Sequence, residues 1–259
     1  MSEQGRSFDA VAEDYLRSRS GYPSEMLDHI FETARLNSNS LVLEIGCGSG
    51  QATIEFSGRG CRIVAIDPAK TALVLLGKRC SDLREIELVH STFEDFETAL
   101  KFDMIVCAQA FHWLDLSTAP KRFAALLKPH GHVMLFWHLQ DVIPESPQAE
   151  LYSISSKYFK SFPIMNPPEY GREFIDAMSQ VLDRSGLFKE LRVLEYPWQQ
   201  SYKPEMFKAL FRSASSFAQL DESSKHQIGV ELTDYVEALT DDPVVNYRTC
   251  LIEAKIGDI

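Results

Sequence analysis

The chain has 259 residues, 45% of them hydrophobic and 24% charged. That ordinary globular balance excludes a disordered, collagenous or disulfide-stapled protein. Apolar runs such as Val133–Trp137 and Ala72–Leu76 reach five residues, against about 20 for a membrane span, so no membrane partner is expected.

The N-terminal MSEQGRSFDA lacks the apolar stretch of a secretory signal. Net charge is −11, from 37 acidic and 26 basic residues. An acidic body repels a phosphate backbone, so nucleic acid is not the expected partner. The five cysteines, Cys47, Cys61, Cys80, Cys107 and Cys250, are odd in number and show no C-x-x-C spacing. Neither a disulfide framework nor a metal site is expected, and a reducing, cytoplasmic location fits best.

From residue 41 to 137, short apolar runs alternate with helical patterns. Leu41–Ile45 reads as a strand ended by glycines, and Gln51–Ser57 as the start of a helix. Arg62–Ile66 is a second strand and Lys70–Arg79 a second helix. Ile86–Val89 and Phe102–Cys107 are the third and fourth strands. Thr118–Lys128 reads as a helix with Ser117 as its cap and Pro120 in its first turn, stopped by Pro129 and Gly131. His132–Trp137 is a fifth strand. This alternation implies βαβ units and an α/β fold with a parallel sheet buried on both faces.

Five prolines between Pro144 and Pro168 then interrupt the pattern. A helix runs from about Glu173 to Ser185, with Phe174, Met178, Val181 and Leu182 as its apolar stripe and Gly186 past its end. The run Met165–Tyr170 reads as a loop, and the basic Lys78, Arg79 and Arg84 as the exposed end of the second helix. Leu191–Tyr196 reads as a strand, Ser201–Ser213 and Asp221–Leu239 as helices, and Tyr247–Ile256 as a last strand. The whole makes a single domain over 1–259. It divides into an N-terminal helical lid (1–36), a βαβ core (37–140), further lid segments (141–172 and 200–245) and closing strands (186–199 and 246–257).

The most informative stretch is Val42-Leu-Glu-Ile-Gly46-Cys-Gly48-Ser-Gly50, at a strand-to-helix turn. Glycines there let backbone approach a ligand, and the helix start offers N–H groups. The dinucleotide fingerprint is G-x-G-x-x-G. Here the third glycine comes one residue early, and Glu44 stands where such sites usually carry an apolar residue. Asp67 ends the second strand, 17 positions after Gly50. It can hold both hydroxyls of a ribose, or it can cap the helix that follows.

Together with Glu94-Asp95-Phe96, Ala108-Gln-Ala-Phe-His-Trp113 and Leu127-Lys-Pro-His-Gly131, these motifs resemble class I S-adenosylmethionine-dependent methyltransferases. The similarity is to the type 11 group and its trans-aconitate methyltransferase-like branch. Tyr15-x-x-x-Arg19-x-x-Tyr22-Pro23 matches that branch as well. The resemblance implies a Rossmann-like, seven-stranded, mostly parallel sheet with an antiparallel last strand, helices on both faces and a helical lid. It implies S-adenosylmethionine as cofactor. Gly46, Gly48 and Gly50 would flank its methionine portion, with Glu44 and Gln109 at that end. Asp67 would hold the ribose, Phe93 and Glu94 the adenine, and Tyr15 and Arg19 would cover the cofactor carboxylate. Thr92 departs from the family's usual acid two positions before Glu94.

Methyl transfer from a sulfonium is a direct displacement, so positioning supplies much of the acceleration. His112, Trp113 and His138 lie after the fourth and fifth strands, at the edge where α/β sheets bind ligands. His112 is the candidate catalytic residue, either as a base or as a group orienting the acceptor. Its alternative role is packing. The expected acceptor is a small molecule, a carboxylate or another compact polar metabolite. Other readings are a methyltransferase of protein or nucleic acid, an NAD-type dehydrogenase, and a non-catalytic cofactor-binding module.

Overall fold

The computed structural model describes residues 21–82, 85–140, 147–158, 168–213, 217 and 219–257. Its sheet has seven strands: β1 (Leu41–Ile45), β2 (Arg62–Asp67), β3 (Ile86–His90), β4 (Phe102–Ala108), β5 (Leu127–Gln140), β6 (Phe188–Ser201) and β7 (Val244–Ile256). Their order is β3-β2-β1-β4-β5-β7-β6. The first five strands pair in parallel, and β7 runs antiparallel between β5 and β6. The strand order reverses beside β1, where α/β sheets open a ligand crevice.

Eight helices accompany the sheet among the described residues: α1 (Ser24–Thr33), α2 (Gln51–Gly58), α3 (Lys70–Arg79), α4 (Ala119–Leu126), α5 (Pro147–Ser156), α6 (Pro168–Ser185), α7 (Pro204–Arg212) and α8 (Glu222–Glu237). A single 3₁₀ turn, Phe111–Trp113, follows β4. None of these helices is long and apolar enough to cross a membrane.

Side chains alternate across the strands, so each face of the sheet builds its own core. Leu43, Ile45, Ile105, Cys107, Val133, Leu135 and Trp137 face one side, where Met178 and Leu182 of α6 cover them. Val42, Ile63, Ala65, Met104, Val106, Met134 and Phe136 face the other, against Met26 and Ile30 of α1 and Phe56 of α2. A third cluster stands apart. Leu151 and Ile154 of α5, Phe207 and Leu210 of α7, and Ile228 and Leu232 of α8 pack with Tyr202, Val245 and Tyr247. Glu253 of β7, buried among apolar groups, is paired by His29 of α1 at 2.7 Å and by Arg192 of β6.

Several element boundaries differ from the sequence expectation. β5 begins at Leu127, before the expected helix stop. The Lys128–Gly131 run bulges out of register between Phe102↔Leu127 and Met104↔His132, with His130 at φ +66°. The residue before α4 is Thr118, and Ser117 donates its hydroxyl to Asp115 at 2.6 Å. α6 starts at Pro168, whose ring suits a first helical turn. Residues 168–170, expected in a loop, are therefore helical. Gly186 takes φ +66° past the end of α6, as expected. All five cysteines are buried and reduced.

Candidate active site

β1 delivers the chain into the glycine loop. Gly46 and Cys47 both donate their N–H to the Ile66 carbonyl, at 2.9 and 3.1 Å. Gly48 donates to Asp67 Oδ2 at 2.8 Å. All three loop glycines take positive φ: +71° at Gly46, +52° at Gly48 and +87° at Gly50. Space is restricted as well. A Cβ on Gly46 would lie 2.5 Å from Ala110 Cβ, and one on Gly50 would lie 2.1 Å from Leu76 Cδ1. The loop thus fits against the turn after β4 on one side and against α3 on the other. Arg79, expected at an exposed helix end, reaches back and donates to the Ser49 carbonyl at 2.5 Å.

Asp67 lies two residues before Ala69, the N-cap of α3, which has no side-chain cap bond. Its Oδ1 accepts the Ala69 N–H at 2.7 Å, just ahead of α3, while Oδ2 holds the glycine loop. Asp67 therefore ties the glycine loop to the start of α3.

Glu44 is 1% exposed on β1, and its Oε2 has no hydrogen-bond partner among the described residues. Burial, with the nearby Asp67 charge adding to it, pushes its carboxyl up to about 8. The Gln51 side-chain nitrogen is likewise buried without a partner. Buried polar groups are normally satisfied. A ligand with an ammonium and hydroxyls at this loop would supply what Glu44 and Asp67 can bind. The residues therefore fit the amino-acid and ribose portions of S-adenosylmethionine.

Phe93, Glu94 and Gln109, also expected at the cofactor, have contacts within the protein. Phe93 is buried, its ring 5.3 Å from Phe123, with the Arg122 guanidinium 4.9 Å from its centroid. Glu94 accepts the Asp115 N–H at 3.1 Å. Gln109 has φ +61°, a strained position for a non-glycine residue, and its N–H donates to the Phe136 carbonyl at 2.9 Å. Such strain is common where a loop is shaped for a ligand. Tyr15 and Arg19 lie outside the described residues, as do parts of the expected lid segments.

On the acceptor side the structure places His112 in the 3₁₀ turn after β4, among the rings of Trp113, Trp137 and Phe174. Burial lowers its pKa to about 4. Trp113 is 48% exposed. His138 lies near the end of β5. Its ring stacks on Tyr22 with centroids 4.6 Å apart, and its Nδ1 is 2.8 Å from Thr249 Oγ1.

Around His138 stand residues that the sequence motifs did not single out. Trp198 Nε1 donates to Thr249 Oγ1 at 2.8 Å. The Tyr247 ring stacks on Trp198 at 4.4 Å. Gln140 donates to the Tyr247 hydroxyl at 3.1 Å, and that hydroxyl is 2.6 Å from the hydroxyl of Tyr202. The signal available in the sequence was only aromatic richness near the chain's end. The pairing of β7 with both β5 and β6 gathers these rings at one edge.

Comparison with known proteins agrees with this geometry. Residues 42–131 match the model of a methyltransferase domain family. An uncharacterized methyltransferase-like protein of Schizosaccharomyces pombe is 26% identical over 259 residues, covering 96% of this chain and 95% of its own. Among solved structures, the YcgJ protein of Bacillus subtilis superposes with a TM-score of 0.57 at 15% identity, covering 92% of this chain and 100% of that one. An S-adenosylmethionine-dependent methyltransferase of Thiobacillus denitrificans, in complex with S-adenosyl-L-homocysteine, gives a TM-score of 0.53 at 15% identity, covering 94% and 96%. With residues 42–131 matching a methyltransferase domain, and the glycine loop, Asp67 and the buried Glu44 arranged as described, the enzyme is an S-adenosylmethionine-dependent methyltransferase.

Proposed function

We propose that this methyltransferase acts on a small, compact polar metabolite, with a carboxylate as the favoured acceptor class, in keeping with the resemblance to the trans-aconitate methyltransferase-like branch. The observation that carries the reading is the roof over one end of the sheet. Helices α5, α7 and α8 share a core with Tyr202, Val245 and Tyr247, at the edge where β5 ends. A roofed edge suits a metabolite better than a polymer. The net charge of −11 points the same way, so neither nucleic acid nor a membrane is assigned as partner, and the cytoplasm is the assigned location.

When bound, the cofactor supplies a methyl group on a sulfonium. The chain's own residues do the rest. The glycine loop and Asp67 hold the donor, and Arg19 pairs with its carboxylate or with that of the acceptor. His112, Trp113 and His138 orient the acceptor. The roof excludes water, which strengthens an anionic nucleophile.

The test is transfer of labelled methyl from S-adenosylmethionine into a panel of organic acids, into total RNA and into a protein extract. Label in a small acid is the expected outcome. Label in RNA or protein alone would overturn the reading.

A further inference from the structure

The turn after β4 is held by a hydrogen bond between residues 25 apart in sequence: Trp137 Nε1–H donates to His112 Nδ1 at 3.1 Å. An indole nitrogen can only donate, so the Nδ1 it meets must carry a lone pair. In neutral His112 the proton therefore sits on Nε2. The arrangement is rigid. Trp137 is 2% exposed in β5, which is paired on both sides. Phe174 of α6 meets both rings edge-on, at 5.6 Å from His112 and 5.5 Å from Trp137. The half-exposed Trp113 ring lies beside His112, with centroids 4.8 Å apart.

We propose that Trp137 is a positioning residue that fixes His112 as a neutral Nε2–H donor, so that His112 orients an acceptor atom and does not take its proton. The inference rests on His112 belonging to the acceptor side of the site. The charged groups on the surrounding elements are Asp115 on the turn, Glu173 and Asp176 on α6, and the Arg248–Glu195 pair across β7 and β6. Asp115 is engaged by Ser117 and Thr118, Glu173 and Asp176 are exposed, and burial alone shifts the imidazole.

The consequence is a restriction on substrate chemistry. The acceptor's lone pair forms the new bond to carbon, the carbon–sulfur bond breaks with its electrons remaining on sulfur, and no proton passes to His112. The site then favours an atom already unprotonated near neutral pH. An alcohol, which would need a base in the transition state, is disfavoured.

The experiment is nitrogen NMR of the imidazole rings in the wild-type chain and in Trp137→Phe, from pH 5 to 8, with His112→Asn to assign the signal. The wild-type His112 should show an unprotonated Nδ1, a protonated Nε2 and no titration across that range. In Trp137→Phe the Nδ1 signal should move toward a mixture of tautomers, because the ring that donates to Nδ1 is gone while the burial remains. Protonated Nδ1 in the wild type, titration near 6.5, or an unchanged tautomer in the variant would each overturn the proposal. Should Trp137→Phe fail to fold, the wild-type spectrum decides alone. Titration with S-adenosylhomocysteine separates the two levels: absent binding contradicts the assigned cofactor, while the NMR still reads the tautomer.

Discussion

The two ends of the crevice are built by different means. On the β1–β2 side, backbone does the work. Positive-φ glycines, N–H groups bonded to Ile66 and Asp67, and one buried acid shape the loop. On the β5–β7–β6 side, large side chains do it, with rings and hydroxyls drawn from β5, β6, β7 and the segment before α1. Backbone recognition tolerates almost no substitution, because a Cβ has nowhere to go. A wall of side chains can be exchanged residue by residue.

The sharpest way to break this comparison is Gly50→Ala. The added Cβ meets Leu76 at 2.1 Å on a backbone at φ +87°. The strain and the clash together should cost at least about 3 kcal/mol and abolish S-adenosylhomocysteine binding. Thermal unfolding and calorimetry would check both. A stable, fully binding variant would mean that the loop is not a backbone cradle.

Asp67→Ala comes next. It strips acceptors from the Gly48 and Ala69 N–H groups, which should cost about 1–3 kcal/mol in stability as well as in cofactor affinity. Loss of stability with full affinity would assign Asp67 to helix capping alone.

Glu44 gives a pH signature. Its folded pKa, about 8, lies above the ordinary 4.5, so the folded state holds a proton that the unfolded state has lost. Its contribution is complete below pH 4.5 and disappears as pH rises through 8. Burial lowers His112 to about 4 from 6.5, which acts in the opposite sense, with stability lost as pH falls through that window. Above pH 6.5 only the Glu44 effect of these two remains. From pH 6.5 to 8 the ligand-free chain should lose about 1–2 kcal/mol more than Glu44→Gln. Denaturant titrations at the two pH values measure this difference, and parallel profiles would contradict it.

The smallest of these effects falls on the other side. Tyr247→Phe removes the hydroxyl shared by Gln140 and Tyr202. About 1 kcal/mol of stability should go, with cofactor affinity unchanged. A parallel fall in affinity would join two ends that the account keeps separate.

The same division explains what the sequence disclosed. The cofactor loop is local: Gly46, Gly48, Gly50 and the acid at Glu44 fall within seven residues, and Asp67 follows one strand later. Motif spacing alone therefore singles them out. The alternation of strands and helices up to residue 137 was equally plain, since each element carries its own periodicity.

Trp137 with His112, Trp198 with Thr249 and Tyr202 with Tyr247 are 25, 51 and 45 residues apart. Only the placement of β7 between β5 and β6 brings the second and third pairs together. Local composition also misled at Pro129–Gly131. The helix has already ended at Leu126, and by Pro129 the strand has begun and bulges. Ser117 reads as a cap by type, but Asp115 accepts its hydroxyl.

The central claim, that donor and acceptor are held by separable machinery, is tested most directly by titrating S-adenosylhomocysteine into the wild-type chain, Asp67→Ala and His112→Ala. The account predicts clear binding to the wild type, affinity within about twofold for His112→Ala, and a loss of fivefold or more for Asp67→Ala. No heat with the wild type, or equal losses in the two variants, would contradict it.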